Sequence, residues 1–266
     1  MVAYDLGTLG IFFILDNMMN KYNLEQFYKD LHEFNISLHD SQAEQFIRYY
    51  EMLIEKNKVM NLTAITDFDE VLKKHFVDSL SFVKAYDLNQ SGNEITLIDI
   101  GTGAGFPGIP LKIAFPNMKV TLLDSLNKRV DFLNDVINEL KLEGIKAIHG
   151  RAEDYAKPGQ LREKFDLCVS RAVANLSTLT EYCLPYVKVG GKFIAYKSEK
   201  VIEEMKDAEY VISLLGGKVE LQLSFMLPDS DLHRNLFVIA KDNHTPDKYP
   251  RKAGMASKKP LRSDGN

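Results

Sequence analysis

The sequence predicts an α/β fold: an open, doubly wound parallel sheet closed by a C-terminal antiparallel hairpin, with a small helical domain ahead of it. Three observations carry this prediction. From Ile95 onward, short β-rich runs alternate with helical stretches, as βαβ units with right-handed crossovers require. The last two β-rich runs, Lys218–Met226 and Leu236–Ala240, have no convincing helix between them, which implies an antiparallel pair at the sheet edge. The first run, Ile95–Ile100, feeds a glycine-rich turn that opens a helix at Gly108, and open α/β sheets bind nucleotides at such a turn.

In chain order, residues 1–18 read as a leader or an over-extended start. Their apolar run, LGIFFIL, is too short to span a bilayer and no basic segment precedes it, so it is not read as a signal peptide. Residues 19–92 form the helical domain. Asn23–Phe34 and Ser41–Lys56 are amphipathic, the second with Ser41 as N-cap and Glu44 at capping-box spacing. Asn61-Leu62-Thr63 breaks the pattern. Asp67–Tyr86 resumes it, with Val71, Leu72, Phe76, Leu80 and Val83 on one face. Ser91-Gly92-Asn93 is a linker.

Residues 93–242 are the α/β domain. Strands are expected at Ile95–Ile100, Lys119–Leu123, Lys146–His149, Asp166–Ser170 and Phe193–Tyr196. Helices are expected near Gly108–Ala114, Asn127–Lys141, Leu176–Tyr186 and Glu199–Leu214, followed by the hairpin. Residues 243–266 are an aperiodic tail.

Apolar content of 45% and charged content of 26% suit a soluble globular protein. Cys168 and Cys183 lie within apolar patterns without metal spacing, as reduced core cysteines of a cytoplasmic protein do, and no metal site is expected. The net charge of −4 argues mildly against a nucleic-acid partner but averages over local patches.

The glycine turn is Gly101-Thr102-Gly103-Ala104-Gly105. A dinucleotide fingerprint needs a further glycine at the position Phe106 occupies. Without it the turn suits an adenosine with no pyrophosphate to cradle, the pattern of S-adenosylmethionine enzymes, and counts against a nicotinamide oxidoreductase. Asp124 ends the second strand 23 residues after Gly101, a placement that lets a carboxylate reach both ribose hydroxyls. The alternative is an N-cap for the next helix. Ala152 and Glu153 follow the third strand, beside the adenine in this architecture, where Glu153 can accept from an exocyclic amine or stand as a solvated loop charge. Asp99, at the end of the first strand, can face a methionine amino group or organise the turn.

The fourth strand ends in Ser170-Arg171-Ala172, where an acceptor would meet the donor methyl. No Asn/Asp-Pro-Pro-aromatic turn stands there, and Cys168 lies inside the strand, so adenine-N6 and cytosine-C5 chemistry are poorly supported. Guanine N7 already carries a free lone pair and needs only placement. Arg171 and Lys197 are candidates to position such an acceptor, against the alternatives of a structural ion pair and an exposed strand-end lysine. The tail segment YPRKAGMASKKPLR carries Arg251, Lys252, Lys258, Lys259 and Arg262 with no acid among them. It is expected to be extended and to bind RNA phosphates, or to serve as a solvated tail. Lys74 and His75 can add to the same patch, and His75 shares a helix face with Asp78.

Taken together, NLTAI (Asn61–Ile65), KHFVDSL (Lys74–Leu80), DIGTGAGFPGIPL (Asp99–Leu111), LLDSLNKRVDFL (Leu122–Leu133), RAE (Arg151–Glu153), SRAVA (Ser170–Ala174), YPRKAG and SKKPL resemble the bacterial small-subunit rRNA guanine-N7 methyltransferase family, also called glucose-inhibited division protein B. The resemblance runs from about Asn20 onward. It implies a cytoplasmic S-adenosylmethionine-dependent enzyme that methylates N7 of one guanine of 16S rRNA near the decoding centre. Its partner would be 16S rRNA, the small ribosomal subunit or an assembly intermediate, and the enzyme would be a monomer without a membrane. Carried over by motif, Gly101, Phe106, Ala152, Glu153 and Arg171 are cofactor contacts. A cofactor-binding assembly factor with dispensable chemistry is the competing class.

Overall fold

The computed structural model describes residues 21–88, 94–171, 174–197 and 205–263, the side chains of 205 and 206 excepted. The leader at 1–18, the linker Ser91-Gly92-Asn93, Ala172 and the first turns of the Glu199–Leu214 helix lie outside these residues.

The sheet has seven strands, β1 (Thr96–Ile100), β2 (Lys119–Asp124), β3 (Ile145–His149), β4 (Phe165–Ser170), β5 (Val187–Lys197), β6 (Gly217–Met226) and β7 (His233–Lys241), in the order β3-β2-β1-β4-β5-β7-β6. Strands β1 to β5 pair in parallel; β7 pairs antiparallel with both β5 and β6. The order reverses between β1 and β4, which opens a crevice at the carboxyl ends of the strands.

Alternation along β1 assigns the two faces of the sheet. Leu97 joins a core shared with Phe27, Phe46, Tyr49 and Phe76 of the N-terminal helices. Ile98 and Ile100 join the opposite core with Leu176, Leu179 and Phe193. The helices Glu25–Glu33 and Asp40–Met60 therefore form a layer on one face of the sheet. Polar bonds fasten that layer as well. Gln42 donates to the Ile113 carbonyl at 2.6 Å, and the Tyr49 hydroxyl donates to the Ala104 carbonyl at 2.5 Å.

The long helix starts at Asp40, one residue before the expected cap. Its cap is His39, whose backbone N–H donates to the Gln42 side chain at 2.8 Å, so Ser41 and Glu44 are not the capping pair. The expected Asp67–Tyr86 helix is a composite. Asp67 caps Phe68–Val71 by accepting from the Glu70 N–H; a π-helical segment, Leu72–Val77, follows, then Asp78–Leu80 and a 3-10 turn, Ser81–Lys84. Such widened turns are frequent at functional sites, and this one faces the glycine turn through His75.

The tail departs from the extended reading. Residues 243–263 fold back on the domain, burying Thr245, Tyr249 and Ala256 and closing with a short helix, Met255–Lys258. Buried acids in the body accept from this segment, which gives its backbone and Arg251 partners other than water.

Candidate cofactor and RNA site

The glycine turn sits at the end of β1, held by two carboxylates. Asp99 accepts from the Thr102 hydroxyl at 2.6 Å and the Gly108 N–H at 2.9 Å through one oxygen. Its other oxygen is buried with no partner. Burial pushes its carboxyl up to about 7. Asp124 accepts from the Gly103 N–H and the Leu126 N–H, both at 2.9 Å, and lies 3.5 Å from Arg129. One oxygen thus fixes the glycine turn and the other the chain that leads from β2 into the next helix. Leu126, not Asp124, is the N-cap of the Asn127–Glu139 helix.

Gly101, Gly103 and Gly105 all have positive φ, +69°, +64° and +107°, which L side chains rarely adopt. Nothing lies within 4 Å of where a Cβ would stand at Gly101 or Gly103, so backbone is open to approach there. At Gly105 a Cβ would meet Ile109 at 2.5 Å and the Tyr49 hydroxyl at 2.6 Å. The turn therefore has an open side and a packed side.

On the open side lies a cavity of about 360 Å³, within the range of small-ligand sites. Ile100 and Gly101 line it from the end of β1 and the residue after it, Leu123 and Ser125 from the end of β2 and the residue after it, and Ala152 and Glu153 from the short helix after β3. Leu179 and Tyr182 close one flank, and Gly254 and Ser257 come from the tail. Glu153 is buried and accepts from the Gly254 N–H at 2.6 Å. An adenosine fits this set: apolar walls for the ring, an acid for an amine, and glycine backbone without side-chain cover. Among the described residues no cluster of acids, histidines and cysteines could hold a metal ion.

On the packed side Phe106 is buried and stacks on His75, with ring centroids 4.6 Å apart, and the Arg171 guanidinium carbon lies 4.9 Å from the Phe106 centroid. Arg171 donates to Asp78 at 2.9 Å, and Arg234 donates to the other oxygen of Asp78 at 2.7 Å. A buried carboxylate between two guanidiniums thus ties β4 and β7 to the composite helix. His75 meets the Thr63 hydroxyl at 2.8 Å, and burial, helped by Arg171, pushes it down to about 4, so the ring is neutral at pH 7.

The expected site residues accordingly divide. Gly101, Ala152 and Glu153 line the cavity. Gly103, Gly105 and Asp124 build the turn beneath it. Phe106 and Arg171 belong to the packed cluster and are not among the lining residues. His75 faces Phe106 and Thr63, not an RNA surface, and Asp78 pairs with arginines, not with His75. Lys197 donates to the Ala174 carbonyl at 2.7 Å, and Lys74 pairs with Glu70. Arg251 forks onto the buried Glu181, at 2.9 and 2.6 Å, so its guanidinium is spent within the protein. Lys252, Lys258 and Lys259 are exposed. The sequence reading missed Tyr182, Gly254 and Ser257. Gly254 was legible as the glycine of YPRKAG, but the tail's aperiodicity gave no reason to place it in a cavity.

Fold and cavity define an S-adenosylmethionine-dependent methyltransferase with a Rossmann-like sheet. The model of the rRNA small subunit methyltransferase G (GidB) family matches residues 42–233. Ribosomal RNA small subunit methyltransferase G of Lachnoclostridium phytofermentans is 55% identical over 235 residues, 88% of this chain and 96% of that protein. Its counterpart from Alkaliphilus metalliredigens is 51% identical over 230 residues, 86% of this chain and 95% of that protein. The chain belongs to the rRNA small subunit methyltransferase G family.

Proposed function

We propose that this enzyme transfers a methyl group from S-adenosylmethionine to N7 of one guanine in 16S rRNA near the decoding centre, acting as a cytoplasmic monomer on the RNA, the small subunit or an assembly intermediate. The observation that carries the acceptor is the chemistry around the end of β4. Ser170 donates to the Ile100 carbonyl, Arg171 is bound to Asp78, and Cys168 is buried in the strand. A nucleophile with its own lone pair needs no proton removed first, and N7 is a ring nitrogen of guanine with that property, open in the major groove. The cofactor supplies an electrophilic methyl on a sulfonium.

The residues of the chain do the rest. Gly101, Ala152 and Glu153 would hold the adenosine, the rigid turn fixes its position, and the apolar walls exclude water. The exposed lysines 252, 258 and 259 would meet phosphates. Among the described residues no helix is long and apolar enough to cross a membrane. The test is transfer of labelled methyl into small-subunit RNA, with the product nucleoside identified. Label in N7-methylguanosine at one position, missing from RNA of a strain without the enzyme, is expected. Label only in a small molecule or a protein overturns the reading.

A further inference from the structure

The segment Tyr249–Lys259 lies beyond the residues the family model matches, and it is built into the cavity. Gly254, at φ +80° with nothing within 4 Å of a Cβ position, lines the cavity beside Ser257. The Ser257 hydroxyl donates to the Gly254 carbonyl at 3.2 Å, which tightens the loop at that wall. Two buried acids hold the segment from below. Glu153, itself a lining residue, accepts from the Gly254 N–H. Glu181 accepts from the Arg251 backbone at 2.9 Å and from both ends of its guanidinium. Thr178 adds a bond to the Ala256 carbonyl at 3.1 Å, and Ala256 is fully covered. A tail kept only for solubility has no use for a charge-paired, buried anchor, since burying a glutamate is costly unless it is paired.

We propose that Tyr249–Lys259 is a working part of the cofactor site, with Gly254 and Ser257 supplying the adenosine-side wall and the Arg251–Glu181 pair positioning them. This rests on the reading that the cavity takes the adenosine of S-adenosylmethionine. The seated tail then completes the wall that the cofactor contacts, so filling the cavity and seating the tail favour each other. Seating the tail also fixes Lys252 and Lys258, which adjoin the wall, where an RNA strand entering above the cofactor would find them. Cofactor and RNA affinity are thereby linked, each raising the other by the same factor.

The test measures binding of S-adenosylhomocysteine by calorimetry to the intact chain, to a chain ending at Pro250 and to Arg251→Ala. It also measures trypsin cleavage after Lys252 and Lys258 in the intact chain, with and without that ligand. Expected are at least tenfold weaker binding in both variants and at least fivefold slower cleavage of the liganded intact chain. Equal cleavage rates overturn the proposal even where the shortened chain does not fold. Unchanged affinity in a folded variant overturns it as well. Gly101→Asn, which puts a side chain on the opposite wall at a positive φ asparagine tolerates, separates the two readings. If Gly101→Asn abolishes binding while the tail variants bind normally, only the tail's role fails. If none of the three variants alters binding, the cavity is not the cofactor site and both readings fall.

Discussion

The two sides of the glycine turn are made from adjacent residues and serve different ends. Toward the N-terminal helices, Gly105 and Phe106 are packed under Tyr49, His75 and Arg171, and Asp78 locks that contact between two arginines. Toward the tail, Gly101 opens onto a cavity whose far wall is closed by a segment from the end of the chain. One short motif thus both anchors a helical layer and presents bare backbone to a cavity. Motif membership alone does not say which residue does which; side-chain direction relative to the sheet does.

Two glycines of the motif give the sharpest way to break this comparison. Gly105→Ala puts a Cβ into Ile109 and Tyr49 at a strained φ, and should cost roughly 4 kcal/mol from combined strain and overpacking. Gly101→Ala meets no atom within 4 Å and should cost only about 1–2 kcal/mol of backbone strain. Urea denaturation of both variants checks the ratio. Equal losses would mean the turn is not asymmetric.

Arg171→Ala comes next. It removes one of the two cations on buried Asp78 and should cost about 3 kcal/mol. Because Arg171 is not among the cavity-lining residues, affinity for S-adenosylhomocysteine should change less than threefold in protein that remains folded. A tenfold weaker binding at near-normal stability would return Arg171 to the ligand side.

The packed side also carries two opposed titrations. Asp99, raised by burial to about 7, holds its proton to higher pH in the fold than in the unfolded chain. Its ionisation therefore favours unfolding, and stability falls as pH rises from about 4 to about 7. His75, lowered to about 4, is protonated more readily when unfolded, so stability rises with pH between about 4 and about 6.5. In the parent chain the two slopes offset each other. Asp99→Asn should leave a stability that climbs with pH over that window, by up to about 1.4 kcal/mol per pH unit, and His75→Gln should leave one that declines. Thermal melts from pH 4 to pH 7.5 read the slopes. Parallel curves for all three proteins would show that neither group titrates in this way.

How much of this was legible in sequence follows the same division. Strand ends and the helix Gly108–Ala114 are set by local hydrophobic pattern, and the structure places them within a residue or two, except β5, which begins at Val187, and β7, which begins at His233. The Ala152-Glu153 turn was legible because a strand end in this topology has only one neighbourhood. For Arg171 the sequence offered both an acceptor-positioning role and a structural ion pair; the ion pair is present, but its partner was not legible, since Asp78 lies 93 residues away on another element. The π-helical turn and the tail's course leave no periodic trace. Both are settled by tertiary bonds, such as Arg251 to Glu181 across 70 residues. A basic segment read by composition alone could not be divided into one paired, partly buried arginine and four exposed cations, Lys252, Lys258, Lys259 and Arg262.

That division makes the smallest prediction on stability also the most selective. Lys252, Lys258 and Lys259 are exposed, so replacing all three by glutamate should shift unfolding free energy by only about 0.5 kcal/mol. The effect on RNA should be large. Each phosphate contact to a single strand contributes about 0.7 to the slope of log affinity against log salt, so losing three should reduce that slope by about 2. Arg251→Ala should do the reverse, destabilising the tail's seat while removing no exposed charge, so its salt slope should stay near the parent's. Fluorescence anisotropy with small-subunit RNA from 50 to 200 mM salt separates the two. If Arg251→Ala lowers the slope as much as a lysine does, its guanidinium leaves Glu181 for the RNA, and the tail is then the extended phosphate-binding segment that its composition first indicated.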